Sequence, residues 1–227
     1  MAIFGNFETD VISTSAGDLS ITFLGHGSLL MIFQGKNIYV DVFGKVADYS
    51  KLPKADIVFL THEHYDHLDP EALAFIRTDK TVLVYTENCE QMVKGGIVMH
   101  NGDRRTVTGI PVEAVAAYNL VHKRPSGDPY HPKQSGNGYI LTFGSTRLYI
   151  AGDSENTPEM KALKKIDVAF LPMNLPYTMT PEMVADAAKA IQPGILYPYH
   201  YGETDVSKLV DLLKGEKGIE IRIRNMP

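Results

Sequence analysis

The stretch THEHYDHLDP, residues 61–70, follows the apolar run ADIVFL (55–60) and constrains this chain more than any other feature. Three histidines, three acids and a tyrosine share its ten positions. At this density imidazoles and carboxylates repel one another, or need partners once they leave water. ADIVFL is apolar almost throughout, as in a strand covered on both faces, so the cluster begins where a buried strand ends. A divalent ion is the simplest partner, because it neutralises the carboxylates and takes the imidazole lone pairs. Residues i and i+2 of an extended segment point the same way, which predicts that His62 and His64 face one ion together. A turn beyond them would aim Asp66 and His67 at a second ion. Asp69 is a good N-cap and Pro70 suits a first helical position, so DPEALAFIR starts a helix.

The rest of the chain alternates strands and helices. LSITFLG (19–25), SLLMIFQG (28–35), KNIYVDVF (36–43) and TVLVYT (81–86) read as strands broken by Gly or Asn turns. ENCEQMVKG resembles a helix ended by Gly95, and TVTGIPVEAVAAY (106–118) reads as β with a turn. The polar stretch 119–137 is longer than an ordinary connection, which marks a functional loop. GYILTFG (138–144) and TRLYIAG (146–152) form a hairpin over Gly144–Ser145. TPEMKALKKI is a helix, DVAFLPMN (167–174) a buried strand, and TPEMVADAAKAIQP (180–193) a helix with apolar helical spacing. GILYPYHYG (194–202) is a strand, DVSKLVDLLKG a helix and IEIRIR a terminal strand. Two halves of strands followed by helices predict a layered α/β sandwich.

Composition narrows the chemistry. The single cysteine, Cys89, excludes an intramolecular disulfide and a cysteine-based metal site, so zinc would need His and carboxylate ligands. A formal charge of −5 gives no broad basic surface and speaks against nucleic acid as a partner. No run approaches the ~18–20 apolar residues of a membrane-spanning helix. The opening MAIFGNFETDVISTS lacks a basic segment followed by an apolar one, so no signal peptide and a cytoplasmic location are expected. A homo-oligomer stays open.

Two further ligand types occupy strand ends. Asp153 follows TRLYIAG, and His200 ends GILYPYH; in layered α/β folds, sites gather at the carboxyl ends of strands. HxHxDH after a buried strand, the AGD of 151–153, PYHYG (198–202) and LGHGS (24–28) together resemble the metallo-β-lactamase family. The likeness covers nearly the whole chain. Its closest pattern is that of stand-alone hydrolases similar to ascorbate-6-phosphate lactonase and N-acylethanolamine-phospholipid phospholipase D.

That resemblance implies one domain over 1–227 with a four-layer αββα sandwich. It implies that His62 and His64 bind a first ion, that Asp66, His67 and His200 bind a second, and that Asp153 bridges. The family usually supplies a third histidine to the first ion from a turn after a central strand. Here VAAYNL (115–120) puts Asn119 at that place, so Asn119 or His131 completes the set, with His131 favoured and the looped His122 read as solvated. His26 is expected to hydrogen-bond near the pocket without ligating, and Asp41 to orient a ligating imidazole.

The implied cofactor is one or two divalent ions, zinc first, with manganese, iron or nickel as alternatives. Such an ion lowers the pKa of a bound water towards ~7 and stabilises charge on a carbonyl or phosphoryl oxygen. Asp66 would orient the water and accept its proton, giving hydrolysis of a small-molecule ester, lactone or phosphodiester. The competing readings are a catalytically degenerate metal-binding module, suggested by Asn119, and a nuclease of the same fold.

Overall fold

Strand residues that alternate in sequence bury two opposite faces. Leu29 and Met31 face one apolar cluster while Leu30 between them faces another; Ile38 and Val40 flank Tyr39 in the same way. Val168 and Phe170 likewise alternate with Ala169 and Leu171. A period of two with both faces apolar demands a sheet covered on both sides. The computed structural model, which describes residues 6–227, supplies that cover. Met1–Gly5, the start of the stretch read for a signal peptide, lie outside the described residues.

The first sheet runs in chain order through β1 (Thr9–Thr14), β2 (Gly17–Gly25), β3 (Ser28–Phe33), β4 (Lys36–Val40), β5 (Ile57–Phe59), β6 (Val82–Tyr85) and β7 (Ile97–Val98). β1 to β4 pair antiparallel and β4 to β7 parallel. The second sheet contains β8 (Arg104–Val107), β9 (Ile110–Ala117), β10 (Gly136–Phe143), β11 (Thr146–Ile150), β12 (Val168–Pro172), β13 (Ile195–Tyr199) and β14 (Glu220–Ile221). It too is antiparallel up to β11 and parallel beyond.

Helix α1 (Pro70–Ile76) covers the outer face of the first sheet, and α2 (Pro158–Lys161), α3 (Pro181–Ile191) and α4 (Ser207–Leu213) cover the second. The inner faces share a core that includes Phe23, Phe59, Tyr139, Phe170 and Tyr197. This is the expected αββα sandwich. Asp69 caps α1 by accepting from the Glu71 and Ala72 amides, and it also accepts from Gly44. Thr157 and Thr180 cap α2 and α3 in the same manner.

Two local expectations need correction. Residues 87–91 form a 3-10 turn instead of a helix reaching Gly95, because Thr86 provides no side-chain cap and the segment is too short to sustain α geometry. The terminal strand is only Glu220–Ile221, since Arg222 and Arg224 leave it to pair with Asp10 on β1. β1 itself carries mixed polarity, with only Ile12 buried, and gave no strand signal. Beyond His62 and His64, the His67 and Leu68 amides donate to the His64 carbonyl at 3.0 and 2.8 Å, so residues 64–68 form a turn leading to α1.

Cys89 is 0% exposed, and burial pushes its thiol up to about 11. At pH 8 the thiol is therefore protonated as well as inaccessible. We expect no reaction with a chromogenic disulfide reagent in native protein and one equivalent released in guanidinium; rapid native labelling would contradict this packing.

Candidate metal centre

The ends of β2, β4, β5, β9, β11 and β13 meet at one edge of the sandwich, and each delivers a polar side chain. From them come His26, Asp41, the 61–67 turn, Asn119, Asp153 and His200. Ligand atoms of His62, His64 and His131 lie within 4.8 Å of one another, as do those of His62, His67 and Asp153. A third group joins His26, Asp66, His67 and His200. Asp153 stands between them: its Oδ1 is 3.3 Å from His67 Nε2 and 3.5 Å from His200 Nε2, and its Oδ2 is 3.3 Å from His131 Nε2.

Hydrogen bonds behind the ligand atoms determine which imidazole nitrogen faces inward. Asp41 Oδ1 accepts from the Thr61 amide at 2.8 Å, and its Oδ2 accepts from Thr61 Oγ1 at 2.8 Å and His67 Nδ1 at 2.7 Å. Having spent its proton on Asp41, Thr61 Oγ1 accepts from His62 Nδ1 at 3.0 Å. His62 and His67 thus both turn Nε2 into the site. Asp41 thus ties back one imidazole directly, and one threonine extends its reach to a second histidine. Sequence inspection missed Thr61, because a lone threonine at a strand end carries no pattern.

His131 is held the same way from the other sheet. Asn119 Oδ1 accepts from the His131 amide at 2.7 Å and from its Nδ1 at 2.9 Å. Both lone pairs of the amide oxygen are then used, while Asn119 Nδ2 donates to Glu155 Oε1 and to the Tyr177 carbonyl. Asn119 therefore orients His131 and does not itself face the cluster. Its support is Glu155, fully buried, which accepts from the amides of Leu120, Val121 and His122 at 2.7, 2.7 and 2.8 Å. Burial opposes the charge on Glu155, but these donors outweigh it and hold its pKa below the ordinary value. His122, read as solvated, instead pairs with Glu155 through Nδ1 at 2.7 Å. The carboxylate that straps the loop draws it inward.

His26 Nε2 lies 3.0 Å from Asp66 Oδ2, and its ring sits 3.7 Å from that of His200. It is closer to the cluster than the sequence suggested. His26, Asp41 and His200 all adopt positive φ, at 54°, 50° and 46°. Non-glycine residues in that region are held there by their surroundings, and such strain concentrates at functional sites. Gly27 is required beside them: a Cβ would stand 2.9 Å from His67 Cε1.

The cluster fits a cation better than it satisfies itself. His67 Nε2, Asp153 Oδ1 and both nitrogens of His200 are buried without a hydrogen-bond partner among the described residues. His62 Nε2 and His131 Nε2 approach the same His64 Nδ1, at 3.0 and 3.2 Å, and one N–H cannot serve both. Burial and the neighbouring imidazoles lower the pKa of His62 and His64, leaving lone pairs available at neutral pH. Burial opposes ionisation of Asp66 and Asp153, yet surrounding histidines hold both below the ordinary carboxylate range. Burial also opposes a charge on His67, but the carboxylates of Asp153 and Asp41 raise its pKa well above normal. Lone pairs on His62 and His64, ionised carboxylates and orphaned buried atoms match the donor set of a divalent ion, which would have to displace the proton that Asp153 and Asp41 favour on His67.

The cluster opens into a cavity of about 420 Å³ lined by Asp66, Asp153, Tyr65, Tyr130, Tyr177 and Arg124, among others. Of the tyrosines singled out in the sequence, Tyr118, Tyr199 and Tyr201 point elsewhere, to Glu159, the Gly152 amide and the Arg224 carbonyl. Asn174 and Tyr177 place the loop after β12 at the mouth.

A fold of two mixed sheets between helices, with His and Asp gathered at one strand edge, defines a class of metallohydrolase domain. The family model described as beta-lactamase superfamily domain matches residues 20–200. A metal-dependent hydrolase of Koribacter versatilis is 30% identical over 205 residues, spanning 81% of this chain and 84% of its own. A crystal structure from Parabacteroides distasonis, described as a metal-dependent hydrolase, is 48% identical with a TM-score of 0.93, covering 97% of this chain and 100% of that one. The metallo hydrolase Igni18 of Ignicoccus hospitalis shares the fold at 21% identity and a TM-score of 0.74, over 90% of this chain and 94% of its own. The chain belongs to the metal-dependent hydrolases of the β-lactamase superfamily.

Proposed function

We propose that this chain hydrolyses a small-molecule ester, lactone or phosphodiester at a centre of one or two divalent ions, zinc by preference. His62, His64 and His131 would hold one ion, and Asp66, His67 and His200 the other, with Asp153 between them. The observation that carries this reading is the convergence of buried, unpartnered nitrogen and oxygen atoms on one point of the strand edge. Bound ions supply acidity to water and stabilise negative charge developing on a carbonyl or phosphoryl oxygen.

The remaining work falls to protein groups. Asp66 has a 37% exposed side chain, so its carboxylate reaches the cavity, where it can orient the attacking water and take its proton. His26 fixes that carboxylate from behind through the 3.0 Å contact. Asp41 and Asn119 hold imidazoles in one tautomer, so the ligand atoms need no reorganisation. The degenerate-module reading rested on Asn119 standing where a histidine was due, and the proximity of His131 to His62 and His64 favours a complete set over it.

We assign the whole of 1–227 to one domain acting in the cytoplasm. Among the described residues, no helix is long and apolar enough to cross a membrane. The test is metal quantification on purified protein, followed by a panel of lactones, phosphodiesters, thioesters and β-lactams. One to two equivalents of metal are expected, and His64→Ala should lose metal and turnover together. Wild-type protein that takes up no divalent ion on reconstitution would end the reading.

A further inference from the structure

The geometry points to Arg124 as a substrate-anchoring residue that selects molecules carrying a second anionic group, a carboxylate or phosphate, away from the scissile bond. The inference rests on the cavity being the hydrolytic site proposed above. Arg124 lines that cavity, and it is the lining residue with a permanent positive charge. Its side chain is not committed elsewhere. Arg104, Arg147, Arg222 and Arg224 each pair with a carboxylate, whereas the Arg124 side chain hydrogen-bonds only to Tyr130 among the described residues. It donates to the Tyr130 carbonyl at 3.3 Å and lies 5.1 Å from the centre of that ring. Most of the guanidinium fork therefore stays available for bidentate binding of an oxyanion.

The backbone beneath it is built to hold this position. Lys123 and Pro129 form an antiparallel bridge, the Arg124 amide donates to Asp128 at 2.7 Å, and the Gly127 amide donates to Arg124 at 2.9 Å. Ser126 Oγ donates to Asp128 Oδ2 at 2.9 Å and tightens the turn. Tyr130 then meets Tyr177 edge to face at 5.1 Å, and Tyr177 is tied through its carbonyl to Asn119. The tyrosine pair thus lines the same cavity as Arg124 and the histidines. An anionic group on Arg124, an apolar segment against the tyrosines and a scissile bond at the cluster form one consistent substrate outline. Aromatic stacking restricts the guanidinium before binding, which reduces the entropy lost when it engages.

The test compares zinc-loaded wild type, R124A and R124K on p-nitrophenyl butyrate and mono-p-nitrophenyl glutarate, esters that differ in a terminal carboxylate. Wild type should prefer the glutarate ester. R124A should reduce the glutarate-to-butyrate ratio of kcat/KM by about 10-fold, the scale of one hydrogen-bonded charge pair, mainly through KM. R124K should retain part of the preference. A ratio unchanged within about twofold in R124A would overturn the assignment. Turnover of neither ester would count against ester hydrolysis, not against Arg124, which calorimetry then decides. Glutarate or propyl phosphate should bind zinc-loaded R124A about 10-fold more weakly than wild type. Equal affinity for both ligands would refute the anchor, and the ligand losing more affinity identifies the anion.

Discussion

Asp153→Ala is expected to leave a folded protein that holds no more than one metal equivalent and loses at least about 100-fold in turnover, beyond the 10–100-fold typical of groups that merely support a ligand. Asp153 touches both halves of the cluster, through Oδ1 towards His67 and His200 and Oδ2 towards His131. Alanine leaves those imidazoles without a shared anion, so a second cation would enter a site already rich in donors but poor in negative charge. Heat provides a readout independent of turnover. Binding at a hundredfold excess over Kd adds about 2.7 kcal/mol to stability, so zinc should raise the wild-type Tm and raise that of Asp153→Ala far less. Equal metal content and equal zinc-induced Tm shifts would remove Asp153 from the centre.

Glu155→Gln should weaken the same site from outside it. The carboxylate receives three successive amides, the Asn119 side chain and His122, and no neutral side chain can accept all five. The glutamine NH2 would turn a donor towards amides that are themselves donors, and each buried donor left unpaired costs about 1–3 kcal/mol. Loop 119–122 should loosen, Asn119 should release His131, and metal affinity should fall by about 10–100-fold. Asn119→Ala separates positioning from stability: it removes the acceptor for His131 Nδ1 while leaving Glu155 on its three amides. It should reproduce the loss of metal affinity with a smaller drop in Tm. Unchanged zinc affinity in both variants, by competition with a chromogenic chelator, would show that His131 needs no such support.

Much of the architecture was legible because it obeys short periods. Alternating burial in β3, β4 and β12 is written in consecutive residues, and Asp69, Thr157 and Thr180 announce their helices through N-capping chemistry. β1 was not legible, since an edge strand with one buried residue has no apolar period; only its pairing with β2 makes it a strand. The 3-10 turn at 87–91 escaped for a related reason, its helical composition lacking the length and cap to sustain a helix.

At the site, the sequence alone indicated the candidate ligand types and brought most of the residues of the cluster into view, because a dense run of His and Asp after a buried strand has few chemical uses. Tertiary structure decided the rest. His62 and His64 approach to 3.0 Å, and a turn over 64–68 carries His67 to the other side of the cluster. Asn119 supports His131, and Glu155, from a separate stretch of chain, holds Asn119 in turn. The physical reason is that an imidazole's role depends on which nitrogen is tied back, and its tie lies wherever another strand end brings an acceptor. Residue identity records the chemistry available, but only packing sets the direction in which each lone pair points.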